Sequence, residues 1–120
     1  MSAGFSASSE AGEPLKYLRP GHSPDLLRKL RRGHWRVEDE LDLHGMNRIQ
    51  AEHAVGDFLD EASAHRLQCV CIVHGRALGR EPVLKGMLEG WLTARSQVLA
   101  FSQAPSRQGG AGAVLVLLKG

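Results

Sequence analysis

The apolar positions of this chain alternate between two periods. Ala51, Ala54, Val55, Phe58, Leu59 and Ala62 recur at three- and four-residue steps with Glu52, His53, Asp57 and Glu61 between them, the signature of an amphipathic helix. Asn47 and Gln50 stand where a capping box closes a first turn, so a helix is predicted over residues 48–64. Cys69-Val70-Cys71-Ile72-Val73 is continuously apolar and rich in β-branching, which suits a strand buried on both faces. Val83, Leu84, Met87, Leu88, Trp91 and Leu92 return to helical spacing and predict a second helix over residues 82–94, with Met87 and Trp91 in its core stripe.

Upstream, Leu41 and Leu43 alternate with Glu40, Asp42 and His44 before Gly45, which predicts a strand over residues 40–44 with Asp42 and His44 on one face. Downstream, Val98-Leu99-Ala100-Phe101 and Ala113 to Leu118 read as two strands joined through the glycine-rich Gln108-Gly109-Gly110-Ala111-Gly112 turn. Ser23-Pro24-Asp25 supplies an N-cap, a proline at the first helical position and an acid in the first turn of a short basic helix that stops at Gly33. The expected fold is α/β: a two-layer sandwich with a mixed sheet in the order β-α-β-α-β-β and a leading basic helix.

Three segments follow: residues 1–22 as a disordered or extended tail, 23–36 as the basic helical lead-in and 37–120 as the domain. Residues 1–13 are nearly all Ser, Ala, Gly and Glu, with Phe5 the only large apolar side chain after the initiator, too little to offset the entropy of ordering. A chain of 120 residues has room for one modest core. Aromatics at 5% argue against a large aromatic-lined ligand cavity, and no dinucleotide-binding or P-loop glycine pattern supports a small-molecule cofactor.

The net charge of +2 names no partner, but Arg28, Lys29, Arg31, Arg32 and Arg36 crowd into one stretch, a candidate phosphate-binding face. Trp35 beside them is either a stacking ring or an anchor for the helix. No apolar run approaches the ~20 residues of a membrane helix. Cys69 and Cys71 point the same way from one strand and are poorly placed for a disulfide, so they read as buried, reduced thiols and the expected compartment is the cytoplasm, away from membranes. The spacing of Cys71 and His74 does not match a structural zinc site.

Two strand ends carry the chemistry. A strand, a helix and a second strand in one sheet form a right-handed crossover with parallel strands, and ligands bind beyond the carboxyl ends of such strands. His44-Gly45 and His74-Gly75 both stand there, each leading toward a helix N-terminus that favours an anion. Arg76, Gly79, Arg80 and Lys85 follow the second corner. One carboxylate, two imidazoles, cationic side chains and glycine corners are the groups that phosphodiester cleavage needs.

Leu41-Asp42-Leu43-His44-Gly45, Ile72-Val73-His74-Gly75-Arg76, Pro82-Val83-Leu84-Lys85 with Trp91-Leu92, then Ala100-Phe101 and Gly109-Gly110-Ala111-Gly112-Ala113 resemble the Smr (small MutS-related) domain in order and spacing over residues 41–119. The stretch from Tyr17 to Gly33 resembles the lead-in of stand-alone bacterial members. The resemblance implies a sandwich similar to the C-terminal domain of a translation initiation factor, and endonuclease activity on DNA, or on RNA in ribosome-linked quality control. It also implies that Asp42 and His44 match the family's Asp-x-His element and that His74, Gly75, Arg76 and Ala77 match its His-Gly-x-Gly element, with alanine in place of the second glycine.

The expected catalytic residues are therefore Asp42, His44 and His74. The expected nucleic-acid contacts are Gly45, Gly75, Arg76, Gly79, Arg80, Lys85, Arg28, Lys29, Arg31 and Arg32. In one reading His44 is the general base on a ribose 2′-hydroxyl, Asp42 orients it, and His74 with Arg76 stabilises the phosphorane or protonates the leaving oxygen, with no metal. In another, Asp42, His44 and His74 hold a divalent ion that activates water to nick DNA. A third is a nucleic-acid-binding module that does not cleave.

Overall fold

The computed structural model describes residues 14–75 and 83–119. Its strands are β1 (Lys16–Leu18), β2 (Glu40–Asp42), β3 (Cys69–Val73), β4 (Val98–Gln103) and β5 (Ala113–Leu118), and its helices are α1 (Pro24–Arg31), α2 (Arg48–Ala64) and α3 (Val83–Thr93). The mixed sheet runs β1-β4-β5-β3-β2, with β2 and β3 parallel and every other neighbouring pair antiparallel. The expected core order β-α-β-α-β-β is present, led by the basic helix.

Each boundary has a local cause. Ser23 caps α1 by accepting the Asp25 N–H, with Pro24 at its first position. The Asn47–Gln50 capping box opens α2, each side chain accepting the other residue's backbone N–H. Strand β2 is shorter than residues 40–44 because the Asp42 carboxylate takes the His44 N–H and the backbone then turns at Gly45, where φ is +79°.

The sheet is covered on both faces. Against one face, α2 and α3 bury Leu59, Val55, Leu88 and Leu92 on Val70, Ile72, Phe101, Val114 and Val116. Against the other, α1 sets Leu30, with Leu26 and Leu27, on Ala100, Leu115 and Leu117. Fully burying one such aliphatic side chain contributes about 1.5–3 kcal/mol, so α1 is held by three leucines rather than by its exposed charges.

The strand β1 lies within the stretch expected to be a disordered or extended tail. Three residues are too few to show a period of two, and the strand is held by a distant partner: Tyr17 pairs with Phe101 in the ladder and stacks on its ring at 5.2 Å. Residues 1–13, expected to be disordered, lie outside the described residues. Among the described residues no helix is long and apolar enough to cross a membrane.

Candidate active site

The first element of the site is a hydrogen bond between strands. Leu43 N–H donates to Val73 O at 2.8 Å and Asp42 stands opposite Val73 in the parallel ladder, so the His44 and His74 corners leave adjacent strand ends. The turn before β5 locks the second corner: the N–H groups of His74 and Gly75 both donate to Gly112 O at 2.9 Å. Glycine meets a backbone requirement at Gly75, where φ is +91°.

Asp42 and His44 form a dyad. Glu40 and Asp42 alternate with Leu41 and Leu43, which pack into the α2–α3 core, so the carboxylate emerges on the opposite face. Its Oδ2 lies 2.9 Å from His44 Nδ1, and its Oδ1 accepts the His44 N–H at 3.0 Å. The backbone N–H first, then the imidazole, hold the Asp42 carboxyl below the usual carboxylate range. Carboxylate on Nδ1 leaves Nε2 for other work, and with side-chain exposures of 83% for His44 and 47% for Asp42 that nitrogen is open to a large ligand.

His74 is different. It is 8% exposed, its Nδ1 lies 2.9 Å from Gly75 O, and its pKa is lowered chiefly by burial and further by the charge of Lys85, against the raising effect of the Gly75 carbonyl. The tautomer that satisfies the carbonyl carries its proton on Nδ1 and presents Nε2 as the free nitrogen. Lys85, expected to contact phosphate, is 6% exposed in the first turn of α3.

The remaining expected contacts divide. Gly45 and Gly75 are the two positive-φ corners. Arg76, Gly79 and Arg80 lie outside the described residues. Arg28 and Lys29 reach back to Asp25 at 2.8 and 3.5 Å, while Arg31 and Arg32 are exposed at the C-terminal end of α1. Trp35 packs half-buried beneath α1, edge-on to His34 at 4.7 Å, so it anchors the lead-in.

Cys69 and Cys71 are free and buried, and burial pushes each thiol up to about 11, which makes both inert at neutral pH. Among the described residues no group of three or more His, Cys, Asp or Glu side chains is gathered closely enough to hold a metal ion, so Asp42, His44 and His74 do not form a ready ligand set. Sequence reasoning missed the part played by Gly112, which it placed in a flexible turn. The density of glycine there was the available signal, since a carbonyl that accepts two successive N–H groups needs an uncrowded backbone.

A family model described as the Smr domain matches residues 41–119. Relatives named ribosome rescue factor SmrB include one from Pectobacterium carotovorum subsp. carotovorum (strain PC1), 40% identical over 114 residues that cover 95% of this chain and 62% of the relative. Another, from Serratia proteamaculans (strain 568), is 38% identical over 88% of this chain and 58% of its own length. The chain thus spans about three fifths of the length of the curated relatives it matches. Among solved structures, YdaL, a stand-alone small MutS-related protein from Escherichia coli, superposes with a TM-score of 0.83 at 29% identity over 99% of this chain and 93% of that one. The Smr domain of Thermus thermophilus MutS2 superposes with a TM-score of 0.60 at 30% identity over 68% of this chain and 99% of that domain. With the family model covering β2 from Leu41 and every later strand and helix, and the same framework in two solved members, this chain belongs to the Smr domain family.

Proposed function

We propose that this chain is an endonuclease that cleaves RNA by internal transesterification and works in the cytoplasm in ribosome-linked quality control. The observation that carries the reading is the Asp42–His44 dyad: a carboxylate 2.9 Å from Nδ1 aims an exposed Nε2 outward from a strand end, the arrangement of a general base. The name ribosome rescue factor, borne by relatives that align over most of this chain, supports the ribosome and RNA as partners.

In the proposed reaction His44 Nε2 removes the proton of a ribose 2′-hydroxyl, and the 2′-oxygen bonds to the adjacent phosphorus. The bond from phosphorus to the 5′-oxygen breaks, and that oxygen takes the Nε2 proton of His74 in its doubly protonated form, which leaves the neutral ring with its proton on Nδ1. The products are a 2′,3′-cyclic phosphate and a 5′-hydroxyl. Burial and the Lys85 charge lower the His74 pKa, which makes its protonated form a stronger acid toward the leaving oxygen. The ammonium of Lys85, together with Arg76 and Arg80, supplies the positive charge that stabilises the phosphorane. No metal enters these steps.

The test is cleavage of an end-labelled single-stranded RNA by the purified chain, with and without chelator, and of the same strand carrying a 2′-deoxy or 2′-O-methyl group at the cut. The reading requires a cyclic-phosphate end, persistence in chelator and loss of cleavage at the modified nucleotide. Cleavage of the deoxy strand that chelator abolishes and manganese restores would replace it with metal-dependent nicking. Binding without cleavage would leave a recognition module.

A further inference from the structure

The antiparallel pairing of β1, β4 and β5 brings the start of β1, the end of β4 and the start of β5 to the same edge of the sheet as the ends of β3 and β2. At the far corner of that edge, on the α1 side, is a cleft of about 400 Å³ lined by Pro14, Lys16, Arg31, Ser102, Gln103 and Pro105. It stands on the face from which the Asp42 carboxylate emerges. From β1 to β2 the edge crosses four strand spacings, roughly 19 Å.

The rim between cleft and dyad is basic. Lys16 and Arg31 are exposed at the cleft, and Arg32 follows at the end of α1. Arg107, exposed in the turn between β4 and β5, lies against the end of α1, since a methyl group placed on Gly33 would come 2.8 Å from its Nη2. Among the described residues none of these four cations is in a salt bridge, unlike Arg28, Lys29 and Arg95. The cleft also offers what a nucleotide uses besides phosphate contacts: the Gln103 amide and two proline rings as an apolar wall.

We propose that this cleft is the binding subsite for a flanking nucleotide of a single-stranded substrate, whose backbone crosses the strand ends with its phosphates on Lys16, Arg31 and Arg107. The proposal rests on the RNA-cleaving reading above and adds the substrate's path. A backbone that spans roughly 19 Å from the cleft to His44 places the held nucleotide about three to six positions from the cut, the spread reflecting how far the strand is extended beyond the 3.4 Å rise per stacked nucleotide. The strand must be unpaired, because only a single strand bends along a sheet edge and offers its base to a cleft of this size.

The experiment measures binding of the full chain to a fully 2′-O-methylated 12-nucleotide single strand, which reports affinity without cleavage. It compares Arg31→Glu/Arg107→Glu with Arg66→Glu/Lys119→Glu, a pair of equal charge change at the opposite edge of the sheet, where Leu118 N–H meets Gln68 O. The expected result is affinity at least tenfold weaker for the first pair, with the slope of log affinity against log salt shallower by about 1.4, two contacts at about 0.7 each. The control pair should stay within threefold, and trimming the strand to three nucleotides should abolish the difference. Equal losses in both pairs, or none in the first, would overturn the subsite while leaving cleavage at the dyad untouched. Subsite-dependent binding without cleavage of unmodified RNA would overturn the function reading alone. No binding by the unaltered chain would overturn both.

Discussion

His44 Nδ1 lies 2.9 Å from Asp42 Oδ2 while the other oxygen of that carboxylate accepts the backbone N–H of His44 itself. One side chain thus fixes both the turn and the ring that leaves it. Asp42→Asn preserves the shape and can still accept the N–H, but it removes the charge that stabilises a protonated ring. RNA cleavage by Asp42→Asn is expected to lose about two or more orders of magnitude in kcat with KM within a few-fold, because the loss falls on the transition state. Single-turnover kinetics check this. A matching rise in KM would assign Asp42 to binding instead.

The burial of His74 sets a pH dependence whose sign is definite. Its folded pKa lies below 6.5, so the folded chain resists a proton that the unfolded chain accepts. Stability is therefore fully present above about pH 6.5 and falls as the pH drops toward the lowered value. As the proposed acid, His74 should also give kcat a descending limb that begins below pH 6.5. Lys85→Met removes a charge that depresses this pKa, so the limb should move to higher pH, though not fully, since burial is the larger cause. NMR titration of the His74 ring alongside the rate profile checks both, and a limb that stays in place in Lys85→Met would separate it from His74.

The central framework was legible because its signals are local or periodic: the Asn47–Gln50 box opens α2 where expected, and the apolar run Cys69 to Val73 is β3 residue for residue. What escaped depends on distant partners. Strand β1 exists through Phe101 and Leu99, far along the chain, and the second covered face exists because Leu26, Leu27 and Leu30 meet Leu115 and Leu117. At the site, the residue types Asp42, His44 and His74 could be read from two strand ends, but the double hydrogen bond to Gly112 and the burial of Lys85 required the antiparallel return of β5 and the seat of α3.

Gly75 should tolerate no side chain for a backbone reason. Its φ of +91° disfavours any L-residue, and among the described residues a methyl group there would meet nothing within 4 Å. Gly75→Ala is expected to lower stability by about 1–2 kcal/mol, a Tm drop of several degrees for a domain this size. If the backbone relaxes instead, the double hydrogen bond to Gly112 is lost and His74 turns away. Thermal melts with amide exchange at His74 and Gly75 check this, and an unchanged melting temperature with full protection would refute it.

Arg19 is the side chain that holds β1 to the rest. Its Nε donates to Val98 O at 2.8 Å and its Nη2 to Arg95 O at 2.7 Å, and its guanidinium lies 5.7 Å from the centre of the Tyr17 ring. The fork therefore joins the end of a three-residue strand to the turn that leads from α3 into β4. Charge-assisted bonds to carbonyls contribute about 1.5–3 kcal/mol each, and removing the donor takes it from three part-buried carbonyls, those of Val98, Arg95 and, at 3.4 Å, Thr93. Arg19→Ala is expected to destabilise the chain by about 2 kcal/mol, and Arg19→Lys to recover less than half, because one ammonium does not reproduce the planar fork. Hydrogen exchange locates the loss: the amides of β1 should lose protection first while those of α2 and β3 keep theirs, since the fork reaches only the C-terminal end of α3, at Thr93 O, and the turn that follows it. If β1 stayed fully protected in Arg19→Ala, its place in the sheet would rest on the Tyr17–Phe101 stack and the backbone ladder alone.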